Sequence, residues 1–200
     1  MARINNGRRA LWSLKRRYYG RTLDLDESLM SSLSTLKILL IDDNAHMRTI
    51  ASAVLQSAGV RLVREASDGG AGLEVLREFA ADLVIVDFKM FPLDGVEFTR
   101  LVRNSPDSAN PYLPIIMMTG HSEKARIYEA RDAGVTEFVV KPITAKAILD
   151  RIQAVIFHPR PFVKTDGYFG PDRRRRETPN YSGPMRRAAD KSRPTNSGEI

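Results

Sequence analysis

Five residues able to do chemistry each stand directly behind a short apolar run: Asp42 and Asp43, Asp87, Thr119 and Lys141. Three carboxylates brought together repel one another unless a cation neutralises them. An all-oxygen donor set that leaves room for waters suits Mg2+. A hydroxyl and an ammonium beside such a cluster complete a cradle for a phosphoryl group on the central carboxylate, Asp87. Singly, each residue has an ordinary explanation, since Asp and Thr after a strand commonly cap the next helix. Their recurrence at the same kind of place, strand end after strand end, is what calls for a site.

The elements that must position these groups are legible from hydrophobic periodicity. Residues 36–41 read as a buried strand ending in Asp42 and Asp43. Met47, Ile50, Ala51, Val54 and Leu55 form a helical stripe closed by Gly59. Residues 60–66 read as a less buried edge strand, 70–80 as a helix, and 83–86 as the strand that delivers Asp87. The run from Ile85 to Gly95 is the centre of the chain: a strand, a carboxylate, then Pro92 and Gly95 reopening a helix over 96–103. A polar loop over 104–111 leads to a strand over 113–118 ending in Thr119. A helix over 122–133 stops at Gly134, and a strand over 137–140 ends in Lys141-Pro142. A last helix spans 144–157.

Five successive strand–helix units imply an α/β fold with a parallel, doubly wound sheet, because parallel strands need crossover connections. With strand order 2-1-3-4-5, the first and third strands are neighbours at the switch point where such sheets bind ligands. Asp42, Asp43 and Asp87 then meet there, flanked by Thr119 and Lys141.

The formal charge of +7 belongs to the ends of the chain. Residues 1–34 carry seven Lys/Arg against three Asp/Glu and residues 158–200 carry ten against five, leaving 14 against 16 for residues 35–157. A single domain over 35–158 is therefore expected between a basic N-terminal extension, 1–34, and a basic Pro/Arg-rich tail, 159–200. The tail's composition predicts that it is mostly disordered. Within it, Phe162, Tyr168 and Phe169 precede Arg173, Arg174, Arg175 and Arg176, an aromatic and arginine island suited to a protein groove or to nucleic acid. In the N-terminal extension, Leu11, Leu14 and Tyr18 beside Trp12 carry a weak helical signal. Leu23, Leu25, Leu29 and Leu33 suggest a segment that rests on the domain. The absence of Cys excludes disulfides and thiolate metal sites. No apolar run approaches the roughly 18 residues of a membrane span, so no transmembrane segment and a cytoplasmic setting are expected.

The chain over 36–157 resembles the receiver domain of two-component response regulators, with the flavodoxin-like fold of the chemotaxis regulator. The resemblance is carried by Ile38-Leu39-Leu40-Ile41-Asp42-Asp43-Asn44, by Val84-Ile85-Val86-Asp87 with Met90 and Asp94-Gly95, by Ile116-Met117-Met118-Thr119-Gly120 and by Phe138-Val139-Val140-Lys141-Pro142. It implies that Asp87 is the phosphoacceptor. It also implies that Asp42, Asp43 and Asp87 hold Mg2+ with the backbone carbonyl of Lys89, that Thr119 bonds phosphoryl oxygens, and that Lys141 pairs with the phosphoryl group. Thr119 and Phe138 take the switch positions, the latter with Phe where the family more often has Tyr. Lys89 and His121 occupy positions that modulate dephosphorylation. The Lys141–Pro142 peptide is expected to be cis, as in the family. One departure stands in the loop after Asp87, where Phe91 separates Met90 from Pro92.

The resemblance implies a bacterial phosphorelay receiver that takes a phosphoryl group from a histidine kinase or phosphotransfer protein onto Asp87 and acts by binding an unknown downstream protein. It would be no enzyme beyond its own phosphorylation and dephosphorylation, because the 43 residues after Phe157 are too few and too polar for an output module. The alternative is a constitutive adaptor or scaffold whose aromatic and arginine tail binds a protein or nucleic acid, the latter open only to the arms.

Overall fold

The computed structural model describes residues 31–120 and 126–173. The elements are β1 (Lys37–Ile41), α1 (Ala45–Ser57), β2 (Leu62–Ala66), α2 (Gly69–Glu78), β3 (Leu83–Asp87) and α3 (Gly95–Asn104). They continue with β4 (Ile115–Thr119), α4 (Ile127–Ala133), β5 (Glu137–Val140), α5 (Ala145–Phe157), β6 (Phe162–Thr165) and β7 (Tyr168–Pro171). The first five strands form one parallel sheet in the order β2-β1-β3-β4-β5. This is the doubly wound, flavodoxin-like α/β architecture that the sequence implies.

The central strands carry apolar residues at every position because both faces of the sheet are covered. Alternation then sends Leu39, Ile41, Val84, Val86, Ile115 and Met117 to one face, with Val96, Phe98 and Ala130 from α3 and α4. Ile38, Leu40, Leu83, Ile85, Ile116 and Met118 go to the other, with Leu55 from α1 and Ile148, Ile152 and Val155 from α5. Fully burying one such Leu, Ile or Val contributes about 1.5–3 kcal/mol, so the central strands are the firmest part of the scaffold. Helix starts are fixed by side-chain caps: Asn44 for α1, Asp68 for α2, Asp94 for α3 and Thr144 for α5.

The core begins earlier than residue 35. Residues 31–35 are helical, and Leu33 and Leu36, both 2% exposed, pack into the α1–α5 cluster. The amphipathic segment expected around Trp12, and Leu23, Leu25 and Leu29, lie outside the described residues.

The second difference is at the other end. The reading of residues 159–200 as mostly disordered does not hold for 162–171, where β6 and β7 pair as an antiparallel hairpin around Asp166-Gly167. Its aromatic residues do not stand alone. Phe162 and Phe169 pack edge-on against Tyr112, with centroids 5.3 and 5.2 Å away. Arg103 of α3 lies 5.1 Å from the Phe162 centroid. A tail judged by its own composition appears unable to bury surface; the surface it buries belongs to the α3–β4 loop and α3.

Candidate functional site

The sheet register brings the carboxylates together. Ile41 pairs with Val86, so the next residues on adjacent strands are Asp42 and Asp87. Asp42 is 1% and Asp87 8% exposed, whereas Asp43 faces solvent. One carboxylate oxygen from each of the three lies within 4.8 Å of the others. Across β4, Thr119, 2% exposed, ends its strand at the same edge. Its carbonyl accepts from the Lys141 backbone N–H at 2.8 Å, so β5 releases its chain level with Thr119.

Lys141 turns into the cluster. Its Nζ lies 2.8 Å from Asp87 Oδ1 and 3.0 Å from Asp42 Oδ2. Burial raises the Asp87 carboxyl above its ordinary pKa, with Lys141 pulling the other way and Asp42 adding to the rise. Burial pulls the Lys141 ammonium down, but bonds to Asp87 and Asp42 outweigh it and leave the group above the usual lysine value. The Lys141–Pro142 peptide is cis, as expected, and so is Phe91–Pro92.

Neighbouring groups hold the cluster in place. The Asn44 N–H donates to Asp42 Oδ1 at 2.9 Å. Arg48 Nη1 donates to the Asp42 carbonyl at 2.8 Å while its Nε stands 3.4 Å from Glu65. Arg48 is not among the residues that the sequence singles out; its place one turn into α1, behind an Asp-Asp strand end, is the signal that marks it. Gly95 has a steric reason: a Cβ there would stand 2.2 Å from the Asp87 carbonyl oxygen. Only glycine lets α3 start this close to the central carboxylate.

The remaining candidates fall in four places. Lys89 follows two residues after Asp87 with its side chain exposed. Phe138 on β5 pairs with Met117 and is half-buried against the α3–α4 side of the core. His121, Arg174, Arg175 and Arg176 lie outside the described residues. Phe162, Tyr168, Phe169 and Arg173 are not brought to the carboxylate edge. They pack at the opposite end of the sheet, on Tyr112, Arg103 and the end of α4, where Arg173 stands 4.0 Å from the Tyr168 centroid and 3.1 Å from Asp132. A cavity of about 370 Å³ lies between the end of α2, α3 and the 105–113 loop, and none of the five site residues lines it.

The donor set is all carboxylate oxygen, and among the described residues the Lys141 ammonium contacts Asp42 and Asp87, while Asp43 stands exposed at the rim of the cluster. This is the chemistry of a hard divalent ion such as Mg2+. Among the described residues, no helix is long and apolar enough to cross a membrane.

The chain matches the family model of the response regulator receiver domain over residues 38–153. It is 34% identical over 120 residues to the chemotaxis protein CheY of Pseudomonas aeruginosa, covering 60% of this chain and 95% of that one. The structure of Vibrio cholerae CheY4 superposes with a TM-score of 0.55 at 32% identity, covering 60% of this chain and 98% of the other. The receiver domain of a Pseudomonas aeruginosa sensor histidine kinase, described with a magnesium ion coordinated in its active site cleft, has a TM-score of 0.55 at 27% identity and covers 61% and 98%. The hairpin at 162–171 lies beyond the span of the family match. A family match over more than half of the chain, a relative covered almost throughout, and the sheet order and acidic edge together show that the chain belongs to the response regulator receiver domain family.

Proposed function

We propose that this receiver takes a phosphoryl group from a phosphohistidine of a histidine kinase or phosphotransfer protein onto Asp87, and signals by a change in its affinity for a downstream protein. The observation that carries the reading is the Lys141 ammonium bridging Asp87 and Asp42 at 2.8 and 3.0 Å, with Asp43 completing the acidic edge.

The chemistry follows from what each side chain can hold. An Asp87 carboxylate oxygen attacks phosphorus in line; the P–N bond to the donor imidazole breaks and a P–O bond to Asp87 forms, giving an acyl phosphate. The Lys141 ammonium, released from part of its hold on Asp87, follows the charge onto a phosphoryl oxygen, and the Thr119 hydroxyl donates to another. Asp42, Asp43 and Asp87 would hold Mg2+, with the Lys89 carbonyl as a further ligand, and the ion would neutralise charge on the transferring oxygens. Phe138 lies two residues before the level of Thr119 on the neighbouring strand, so a Thr119 drawn toward the phosphoryl group opens space behind it for the ring. Lys89, exposed beside Asp87, bears on how water reaches the acyl phosphate.

In this reading the domain covers the described core, its output is protein binding, and its setting is the bacterial cytoplasm. The test is phosphorylation of the full chain by acetyl phosphate with Mg2+, read as a mass gain that Asp87→Asn abolishes. A mass gain retained in that variant would reject Asp87 as the acceptor.

A further inference from the structure

Helix α4 is held at both ends. At its start, the Arg126 guanidinium lies 4.9 Å from the centroid of Phe88, the fully buried residue that follows Asp87. The same group stands 3.4 Å from Asp94 Oδ2 and 3.0 Å from Glu129 Oε2, and Asp94 is the cap of α3. At its far end, α4 stops at Gly134, φ 101°, against which the β6–β7 hairpin is pressed. A Cβ on Gly170 would stand 2.9 Å from Gly134 Cα and 2.6 Å from the Tyr168 hydroxyl. Arg173 reaches Asp132 of α4 at 3.1 Å.

The hairpin is also fastened to its other neighbours. Arg160 donates through Nη2 to the Thr136 carbonyl at the head of β5 and through Nη1 to the Asp172 carbonyl at 3.1 Å. From α3, Arg103, 3% exposed, donates to the Gly134 and Pro111 carbonyls at 3.1 and 2.9 Å beneath the Phe162 ring. Two buried side-chain nitrogens among the described residues have no hydrogen-bond partner, Arg103 Nη2 and Arg173 Nε, and both belong to arginines stacked on hairpin aromatics.

We propose that the 162–171 hairpin is a strap whose docking is thermodynamically linked to phosphorylation of Asp87, with α4 as the rod between Phe88 and Gly170. The linkage, though not the rod itself, rests on Asp87 being the phosphoacceptor. The seven residues of α4 are one hydrogen-bonded unit, so a change at Phe88 or Asp94 that moves Arg126 displaces Asp132 and Gly134 as well. Linkage is reciprocal: if the phosphoryl group loosens the strap, loosening the strap must alter the phosphoryl group's stability by the same factor.

Hydrogen exchange at the backbone amides of 162–171 in the full chain tests this, with and without acetyl phosphate and Mg2+. Arg126→Ala, with no phosphodonor present, is expected to speed strap exchange about 5-fold or more, the low end of ordinary coupling between sites. Phosphorylation of the wild type is expected to change exchange in the same segment. Gly170→Ala, which cannot seat its Cβ against Gly134, is expected to shift the fraction phosphorylated at a fixed donor concentration in the direction that phosphorylation shifts the strap. Gly167→Ala, at the open turn where nothing lies within 4 Å of the new Cβ, should change neither. Strap exchange indifferent to Arg126→Ala overturns the rod, whatever Asp87 does. Exchange indifferent to a phosphoryl group that mass spectrometry shows to be present overturns the linkage. Failure of any phosphoryl gain overturns the linkage through the acceptor reading, while the Arg126→Ala arm decides the rod separately.

Discussion

Lys141 Nζ stands 2.8 Å from Asp87 Oδ1, at the point where the β1–β3 register alone would set two carboxylates side by side. One ammonium from the residue that follows the last strand of the main sheet thus neutralises a repulsion between carboxylates at the ends of its first and third. Folding assembles this cluster, because Lys141 and Asp42 are 99 positions apart in the chain.

Removing that ammonium is expected to harm both stability and chemistry. Lys141→Met leaves Asp42 and Asp87 facing each other without a cation, and in EDTA the loss should be on the order of 2–3 kcal/mol, below that of breaking a fully buried pair. The phosphorylation rate with acetyl phosphate should fall by about 10²-fold or more, as when a preorganised donor is removed from a transferring group. Urea unfolding and initial rates measure the two effects.

Asp87→Asn is expected to stabilise the metal-free domain at neutral pH. Burial raises the folded pKa of Asp87 above its ordinary value. Its contribution is therefore fully present below the unfolded pKa and lost as pH rises through the folded one. An amide does not ionise, so it escapes that loss. Thermal unfolding in EDTA should show a variant advantage that is larger at pH 7 than at pH 4; an advantage that grows toward acid would contradict the assignment of the shift to burial.

The scaffold of this site was legible because its strands are short, continuous apolar runs that stop at polar residues, as in 83–87 and 115–119. The site was legible because its five members are local to those stops. Two features were hidden for physical reasons. Arg48 and Arg126 act through contacts that only tertiary packing creates, with the Asp42 carbonyl and with Phe88. The hairpin was masked by the Arg- and Pro-rich stretch around it, although Asp166-Gly167 between short β-prone runs is a strong turn signal. What stabilises it, Tyr112 and Arg103, lies far away in sequence.

Glycine substitutions should separate close approach from mere turn flexibility. Gly95→Ala forces a Cβ to 2.2 Å from the Asp87 carbonyl oxygen. Backbone has to move, at a cost of about 1–3 kcal/mol typical of overpacking, and Asp87 moves with it, so phosphorylation should slow as stability drops. Gly167→Ala should be neutral in urea unfolding.

The strap should contribute to the stability of the whole domain. Phe162→Ala removes a ring packed on Tyr112, Phe169 and Arg103. A half-buried aromatic in such a cluster is expected to be worth about 1–3 kcal/mol, seen as a lower urea midpoint. An unchanged midpoint would mean that the hairpin unfolds on its own, before the domain.

The most direct test of the central claim is the intact mass of the full chain after incubation with acetyl phosphate and Mg2+, for the wild type and for Asp87→Asn. The account predicts a gain of one phosphoryl group that is labile, depends on the divalent ion and is absent from the variant. An unphosphorylated wild type under these conditions and with histidine kinase donors alike, or a gain that survives Asp87→Asn, would contradict it.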